Sequence, residues 1–372
     1  MRYGPTAISA AALFLMLCLV VSPGPAFALN ATTTNVVCNS PVTVGLQSSC
    51  TITVTSSGSP TGTVDSFSSS GSGNFGSPSC TLSSGSCSVT YTPTSTVGSP
   101  HTIGATYEGD SSNSPSASRT NSGSVGVNEV QSSLAIGCSP STVQVGTSVS
   151  CTATVTGYSP AGFVTFLNSG GTATVTVPAF CTLSANGPST SSCNVTVTTA
   201  GAGSAGIQAS YGGDFNNIGP AFLSTTTITV SPATSTTTAN CAPATLVVGQ
   251  STTCTATVAG YSPTGTVFWQ TSDSKGTFSS NPCALSSGSC SVSYTPTSSA
   301  TVTATYSGDP NNLGSSGAST ITVNVHEMVQ ITVANSGPPT SVTLSGCSVS
   351  PTWAAAFSGH RCRTTLGAKR RT

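Results

Sequence analysis

The chain carries almost no charge. Of its 372 residues only 4% are Asp, Glu, Lys or Arg, eight acidic against eight basic. A protein that holds nucleic acid or an anionic membrane through its electrostatic field needs a clustered excess of positive charge. Five of the eight basic residues, Arg361, Arg363, Lys369, Arg370 and Arg371, sit in the last dozen positions, which leaves the rest nearly uncharged. No nucleic-acid partner is expected. Histidine is equally scarce: His101, His326 and His360 are scattered, so abundant serine finds no Ser/His/Asp arrangement. A carboxylate pair for glycoside hydrolysis would have to be drawn from eight dispersed acids. No Cys-x-x-Cys occurs, which removes the tight ligand spacing of structural zinc sites. Gly71-Ser-Gly-Asn-Phe-Gly76 has the letters of a dinucleotide-binding turn but no helix follows it, so it reads as a loop. No window beyond the N-terminus keeps a 3.6-residue apolar period, and a parallel α/β fold is thereby excluded.

What the chain does have is repetition. Tyr107-Glu-Gly-Asp110, Tyr211-Gly-Gly-Asp214 and Tyr306-Ser-Gly-Asp309 each close a cysteine-bearing unit. Gly45, Gly146 and Gly249 follow one another at steps of 101 and 103 residues, and Cys50, Cys151 and Cys254 keep the same two steps. Each unit opens on Cys38-Asn-Ser-Pro41, Cys138-Ser-Pro140 or Cys241-Ala-Pro243. A Val-Gly pair and a run such as Cys254-Thr-Ala-Thr-Val258 follow. Next come the turns Ser59-Pro-Thr-Gly62, Ser159-Pro-Ala-Gly162 and Ser262-Pro-Thr-Gly265. A feature common to all three units belongs to their fold, whereas a feature of one is a candidate for function.

Inside a unit, β-branched or aromatic residues alternate with Ser or Thr, broken every eight to twelve residues by Gly, Pro, Asn or Ser. That pattern predicts short half-buried strands. In the third unit it predicts seven, near Thr236–Asn240, Leu246–Val248, Thr252–Val258, Thr266–Thr271, Ser291–Tyr294, Thr301–Tyr306 and Thr320–Val325. Seven strands in about a hundred residues fit an antiparallel β-sandwich. The fold expected is all-β: tandem immunoglobulin-like sandwiches over 29–128, 129–233 and 234–325. The polar linkers near Asn128–Ser133 and Ser231–Thr237 are short and would limit bending.

The order of these motifs, from Cys-x-Pro through Ser-Pro-Thr-Gly-Thr-Val to Ala-Thr-Tyr-x-Gly-Asp, resembles the bacterial immunoglobulin-like repeat domains of prokaryotic surface and secreted proteins. The resemblance spans about residues 32 to 325. It implies a non-enzymatic role as stalk, spacer or adhesion module; such domains also accompany secreted enzymes or bind carbohydrate, and fold alone does not choose. Its implied partner is a protein or glycan at the cell surface, with no cofactor. An aromatic sugar platform would draw on Phe268 and Trp269, adjacent strand residues of which one must face the core.

Fifteen cysteines divide simply. Cys18 lies in the leader, Cys347 and Cys362 lie near the end, and four belong to each unit. The early pairs are Cys38 and Cys50, Cys138 and Cys151, Cys241 and Cys254. The later pairs are Cys80 and Cys87, Cys181 and Cys193, Cys283 and Cys290. Four cysteines allow three connectivities. Bonding within each pair is expected, the later pair closing a hairpin around a turn such as Leu82-Ser-Ser-Gly85, unlike the long-range bond of antibody domains. An export signal favours disulfides over metal ligation.

In Tyr-x-Gly-Asp, two readings compete. Asp110 with Asn113, Asp214 with Asn216 and Asp309 with Asn311 offer oxygen ligands for Ca²⁺. The fold reading makes the tyrosine a packed corner residue and Gly-Asp the start of a turn, and it is preferred because each loop has a single carboxylate.

At the N-terminus, Arg2, an apolar stretch from Ala7 to Val21 and Ala26-Phe-Ala28 read as a secretory signal peptide over 1–28, placing the mature start at Leu29 without a membrane span. The alternative, a retained anchor, would need a longer apolar stretch. Asn30-Ala-Thr32 and Asn194-Val-Thr196 are candidate glycan acceptors at Asn30 and Asn194. Residues 326–372 begin like a fourth unit, with Val329-Gln-Ile-Thr-Val333 and Cys347-Ser-Val-Ser-Pro351, then change composition at Thr352. They are expected to be an incomplete fourth module; a basic anchoring tail is the other reading. The chain as a whole is expected to be exported or surface-exposed.

Overall fold

A Ser/Thr-rich strand folds by burying every second residue, and Ser48–Thr55 shows this. Cys50, Ile52 and Val54 are buried while Ser49, Thr51 and Thr55 face solvent. The computed structural model describes residues 28–324. The leader up to Phe27, Val325 and the segment 326–372, with Cys18, Cys347 and Cys362, lie outside the described residues.

Three pairs of sheets follow one another. In the first, Thr33–Cys38, Ser48–Thr55, Ser86–Pro93 and Gly73–Phe75 neighbour in that order. They face a second sheet ordered Gly123–Val125, His101–Tyr107, Thr63–Ser69 and Cys80–Thr81. The third pair repeats the plan. Thr236–Ala242, Thr252–Ala259, Ser289–Thr295 and Thr277–Phe278 form one sheet. Thr245–Val247, Ser315–Asn324, Ala300–Tyr306, Thr266–Thr271 and Cys283–Ala284 form the other. The fold is all-β, and among the described residues no helix is assigned. The added short strands Thr277–Phe278 and Cys283–Ala284 hold two residues each, too few to display an alternation.

Each sandwich has its own core. Trp269, Tyr294 and Tyr306 are almost wholly buried in the third, and Phe278 stacks on Tyr294 with ring centroids 4.6 Å apart. The first core is centred on Tyr91, whose hydroxyl meets Ser69 and His101 at 2.8 Å. His101 is thus a buried strand residue with its ring committed to the core.

The six disulfides join the two cysteines of each early and each later pair. Cys38 and Cys50, Cys138 and Cys151, and Cys241 and Cys254 stand directly opposite on neighbouring strands of one sheet. The later pairs are not hairpin closures within a sheet. Cys80 lies on a strand paired with Thr63–Ser69, whereas Cys87 lies on a strand of the opposite sheet. Cys181 and Cys193, like Cys283 and Cys290, are divided in the same way. These bonds clamp the two sheets together because the turn between the cysteines carries the chain across the sandwich.

The expected linkers are also mostly absorbed into structure. Val127–Asn128 pairs in parallel with Val42–Thr43 of the first sandwich, and Val130–Gln131 pairs with Asn217–Ile218 of the second. Only Glu129 separates these pairings. At the next passage Ser231 still pairs with Gln144, while Ala233 already bridges Asn312 of the third sandwich. Pro232 alone stands between them.

Candidate functional site at the corners and junctions

The thrice-repeated aspartate sits where the strand ending in the repeated tyrosine turns back. Backbone N–H groups point at its carboxylate because the following residues wrap around it. Ser112, Asn216 and Asn311 each donate their N–H to the aspartate two residues earlier at 2.8 Å. The Ser-Pro turn supplies the second side: Thr61 N, Ala161 N and Thr264 N donate to Asp110, Asp214 and Asp309 at 2.9, 2.7 and 2.8 Å. The two recurring motifs are therefore halves of one device.

These donors hold the carboxylates below their ordinary range. For Asp110 the N–H groups of Ser112 and Thr61 dominate. For Asp214 and Asp309, burial works upward but is outweighed by hydrogen bonds, led by those from Asn217 and Asn312. The tyrosines move the other way. Tyr306 is pushed up to about 12 by burial and by the adjacent Asp309, and its buried hydroxyl makes no hydrogen bond of ordinary geometry. Tyr211 donates to Asp214 at 2.8 Å, and Tyr107 to Asp110 at 3.1 Å. Carboxylate oxygens so fully supplied with N–H and O–H donors serve the loop, which weakens the calcium reading.

The asparagines divide their work in a way the sequence reading missed. Asn113, Asn217 and Asn312 are the ones that donate to the aspartate, at 2.9, 2.8 and 2.9 Å. Asn217 also grips the backbone of Tyr158, accepting from its N–H at 2.7 Å and donating to its carbonyl at 2.9 Å. Asn312 holds Tyr261 at the same two distances. Asn216 and Asn311, the oxygen donors that the less favoured calcium reading would use, turn to the preceding sandwich. Asn216 Oδ1 accepts from Thr96 N at 3.0 Å, and Asn311 Oδ1 accepts from Ala202 N at 2.9 Å. Thr96 also donates its hydroxyl to Phe215 O.

The gripped tyrosines cross the same boundary. Tyr158 packs against the core of the first sandwich and Tyr261 against that of the second. Their rings lie over Gly45 and Gly146, where a Cβ would fall 2.5 and 2.7 Å from ring carbons. Val44 and Val145, next to those glycines, are 3% and 4% exposed. In the first sandwich Gly58 stands where Tyr158 and Tyr261 stand, and Ser112 stands where Asn216 and Asn311 stand. The available signal was this difference between units. Each junction is thus a relay from the corner Asp through Asn to a tyrosine seated on the neighbour, and at the first junction Tyr211 extends it by donating to Asp214.

Other candidates fare as follows. Asn30 has its N–H bound to Ser112 O and its side chain accepting from Ser57, whereas Asn194 is exposed mid-strand, taking a hydrogen bond from Thr152. Trp269 faces the core at 2% exposure and Phe268 faces out, so no coplanar platform forms there. Phe163 and Phe180 are exposed on the second sandwich but meet edge to face. Two acids do meet, the neighbouring Asp65 carboxyl holding Glu108 above its ordinary value. Among the described residues no group of three or more His, Cys, Asp or Glu side chains gathers to hold a metal, and no helix is long and apolar enough to cross a membrane.

A family model described as bacterial Ig-like domain (group 3) matches residues 29–126 and 233–326, just over half of the chain. The chain belongs to this family. Residues 127–232 fall between the two matches. No curated protein matches the chain in sequence. Among solved structures, the Escherichia coli adhesin FdeC is 14% identical at a TM-score of 0.27, over 80% of this chain and 98% of that one. The Yersinia pseudotuberculosis adhesin InvE is 16% identical at 0.27, over 53% and 60%. The ectodomain of mouse nectin-like molecule 4 is 10% identical at 0.27, over 78% and 99%. At these values the three likenesses speak to no shared role.

Proposed function

We propose that this chain is an exported structural array, a stalk, spacer or adhesion module of the cell surface, whose working parts are its junctions. One observation carries this reading: both junctions are built alike, from residues present only in sandwiches that follow another. A tyrosine seated in a neighbouring core and an asparagine bonded to a neighbouring loop restrict hinge motion. A single linker residue, Glu129 or Pro232, leaves little slack. Membership in the bacterial Ig-like family, the paired cysteines and the Ser/Thr-rich, weakly charged surface support a place outside the cytoplasm.

The test is NMR alignment of the mature chain from Leu29. The three sandwiches are expected to report one alignment tensor, and Tyr158→Gly with Tyr261→Gly to give separate ones. Independent tumbling in the unaltered chain would remove the stiffened-array reading. Binding by the mature chain on a glycan array would instead favour a carbohydrate-binding role.

A further inference from the structure

The third sandwich ends on the same surface that the first two offer to a neighbour. Val248-Gly249 is the counterpart of Val44-Gly45 and Val145-Gly146, and the three glycines share φ of +84°, +82° and +84°. The closing strand reaches this surface in the same register: Val44 N, Val145 N and Val248 N donate to Asn128 O, Ser231 O and Asn324 O. Yet Val248 is 47% exposed where Val44 and Val145 are buried, and among the described residues nothing comes within 4 Å of a Cβ built on Gly249. Ser299 stands three residues past Pro296 as Thr96 stands past Pro93 and Ala202 past Thr199. Thr96 and Ala202 are half-buried at their junctions, and Ser299 is exposed.

We infer that this end of the third sandwich, Val248, Gly249 and the Ser299 N–H, is a docking face for a further immunoglobulin-like module. That module would carry a tyrosine before its Ser-Pro turn and an Asp-x-Asn-Asn corner. The inference rests on the array reading above. The occupant's chemistry comes from the two junctions already formed: a ring to cover the glycine and valine, and an amide oxygen to accept from the loop. A second copy of this chain does not supply them, because its first sandwich presents Gly58 and Ser112 at those positions, while Tyr158 and Tyr261 are already seated. Residues 326–372 contain no tyrosine. The occupant is therefore a module of the second or third kind.

The experiment inserts a second copy of residues 129–231 directly after Asn324 in the otherwise full chain, matching the register in which Asn128 meets Val44. Hydrogen exchange is followed at Ser299, Thr96 and Ala202. The Ser299 amide is expected to slow at least about tenfold on insertion, and to stay fast when the inserted copy carries Tyr158→Gly and Asn216→Ser. Two-population uptake in peptides of the duplicated sequence would reveal an unfolded copy, in which case a copy of residues 232–324 is inserted instead. Slow exchange at Thr96 and Ala202 without slowing at Ser299 overturns the docking face alone. Fast exchange at all three overturns the array reading with it. Equal slowing with the doubly substituted copy shows that the tyrosine and asparagine do not define the occupant, and overturns the inference.

Discussion

The second and third sandwiches differ inside and agree outside. In the third, Phe278, Tyr294 and Trp269 fill the space between the sheets; in the second, Val197 replaces Tyr294 and Phe166 replaces Trp269. The later cysteines are 7 residues apart in the third and 12 in the second. The longer turn folds back onto the Ser-Pro turn, with Pro188 O accepting from Ser159 N and Ser191 donating to Pro160 O. In the first and third sandwiches that position is an open groove beside Ser84-Gly85 and Ser287-Gly288. Despite these changes both sandwiches present the same tyrosine and asparagine to their predecessor. Core composition and junction are separable: a family model matches the first and third units, while the junction relay is shared by the second and third.

The largest effect that would sharpen this contrast is in the cores. Trp269→Ala removes a fully buried side chain whose Nε1 points at Cys283 Sγ, and should cost the third sandwich about 3–5 kcal/mol. Calorimetry should show the third transition falling while the second stays, since the cores are separate clusters. A shared fall of both transitions would mean that the cores are coupled through the junction.

Next come the bonds between sheets. Replacing Cys181 and Cys193, or Cys283 and Cys290, by alanine should cost about 2–4 kcal/mol in each case. The second sandwich should lose slightly more, because a cross-link over 12 residues restrains the unfolded chain more than one over 7. Urea unfolding of the two variants measures the difference, and an equal or reversed order would assign the cost to the native cores.

A smaller effect isolates the junction. Gly146→Ala and Gly249→Ala impose the same left-handed strain, about 1–2 kcal/mol. Only the first also drives a methyl group into the Tyr261 ring. Gly146→Ala should therefore be the more destabilising by about 1 kcal/mol, and should speed exchange at the Ala202 amide, which Gly249→Ala leaves alone. Equal costs would show that the tyrosine ring yields freely.

Strand periodicity made the sandwich legible, because burial of alternate residues is a local rule that each strand obeys by itself. Alternation does not say which of the neighbours Phe268 and Trp269 turns inward, and in the fold the larger ring takes the core. The later cysteines suit a hairpin closure, since a spacing of 7 fits a turn within a sheet as well as a turn between sheets; only the pairing of Cys80–Thr81 with Thr63–Ser69 separates the two. The junction escaped for a different reason. Tyr158 and Asn216 touch another sandwich, and their meaning depends on where that sandwich sits, which no periodicity encodes. Their sole trace is that Gly58 and Ser112 break the repeat.

Acid should give the mildest separation between corner and core. The carboxyls of Asp214 and Asp309 lie below their ordinary value in the folded chain. Their contribution is therefore complete above the unfolded value of about 3.9 and is lost as pH falls through the folded values. The aromatic and aliphatic cores have no such dependence. Between pH 7 and pH 3 the melting temperature of the third sandwich should fall modestly. Asp309→Asn should reduce that response, leaving the share of Asp273, whose burial is likewise outweighed by the N–H groups of Thr297, Lys275 and Ser298 that hold it low. The same variant should lower stability at neutral pH, because Asn cannot accept the same N–H donors at both oxygens. If the variant keeps the full acid response, the corner aspartate is not the group that titrates, and the relay from Asp309 through Asn312 to Tyr261 holds the junction by its geometry without help from charge.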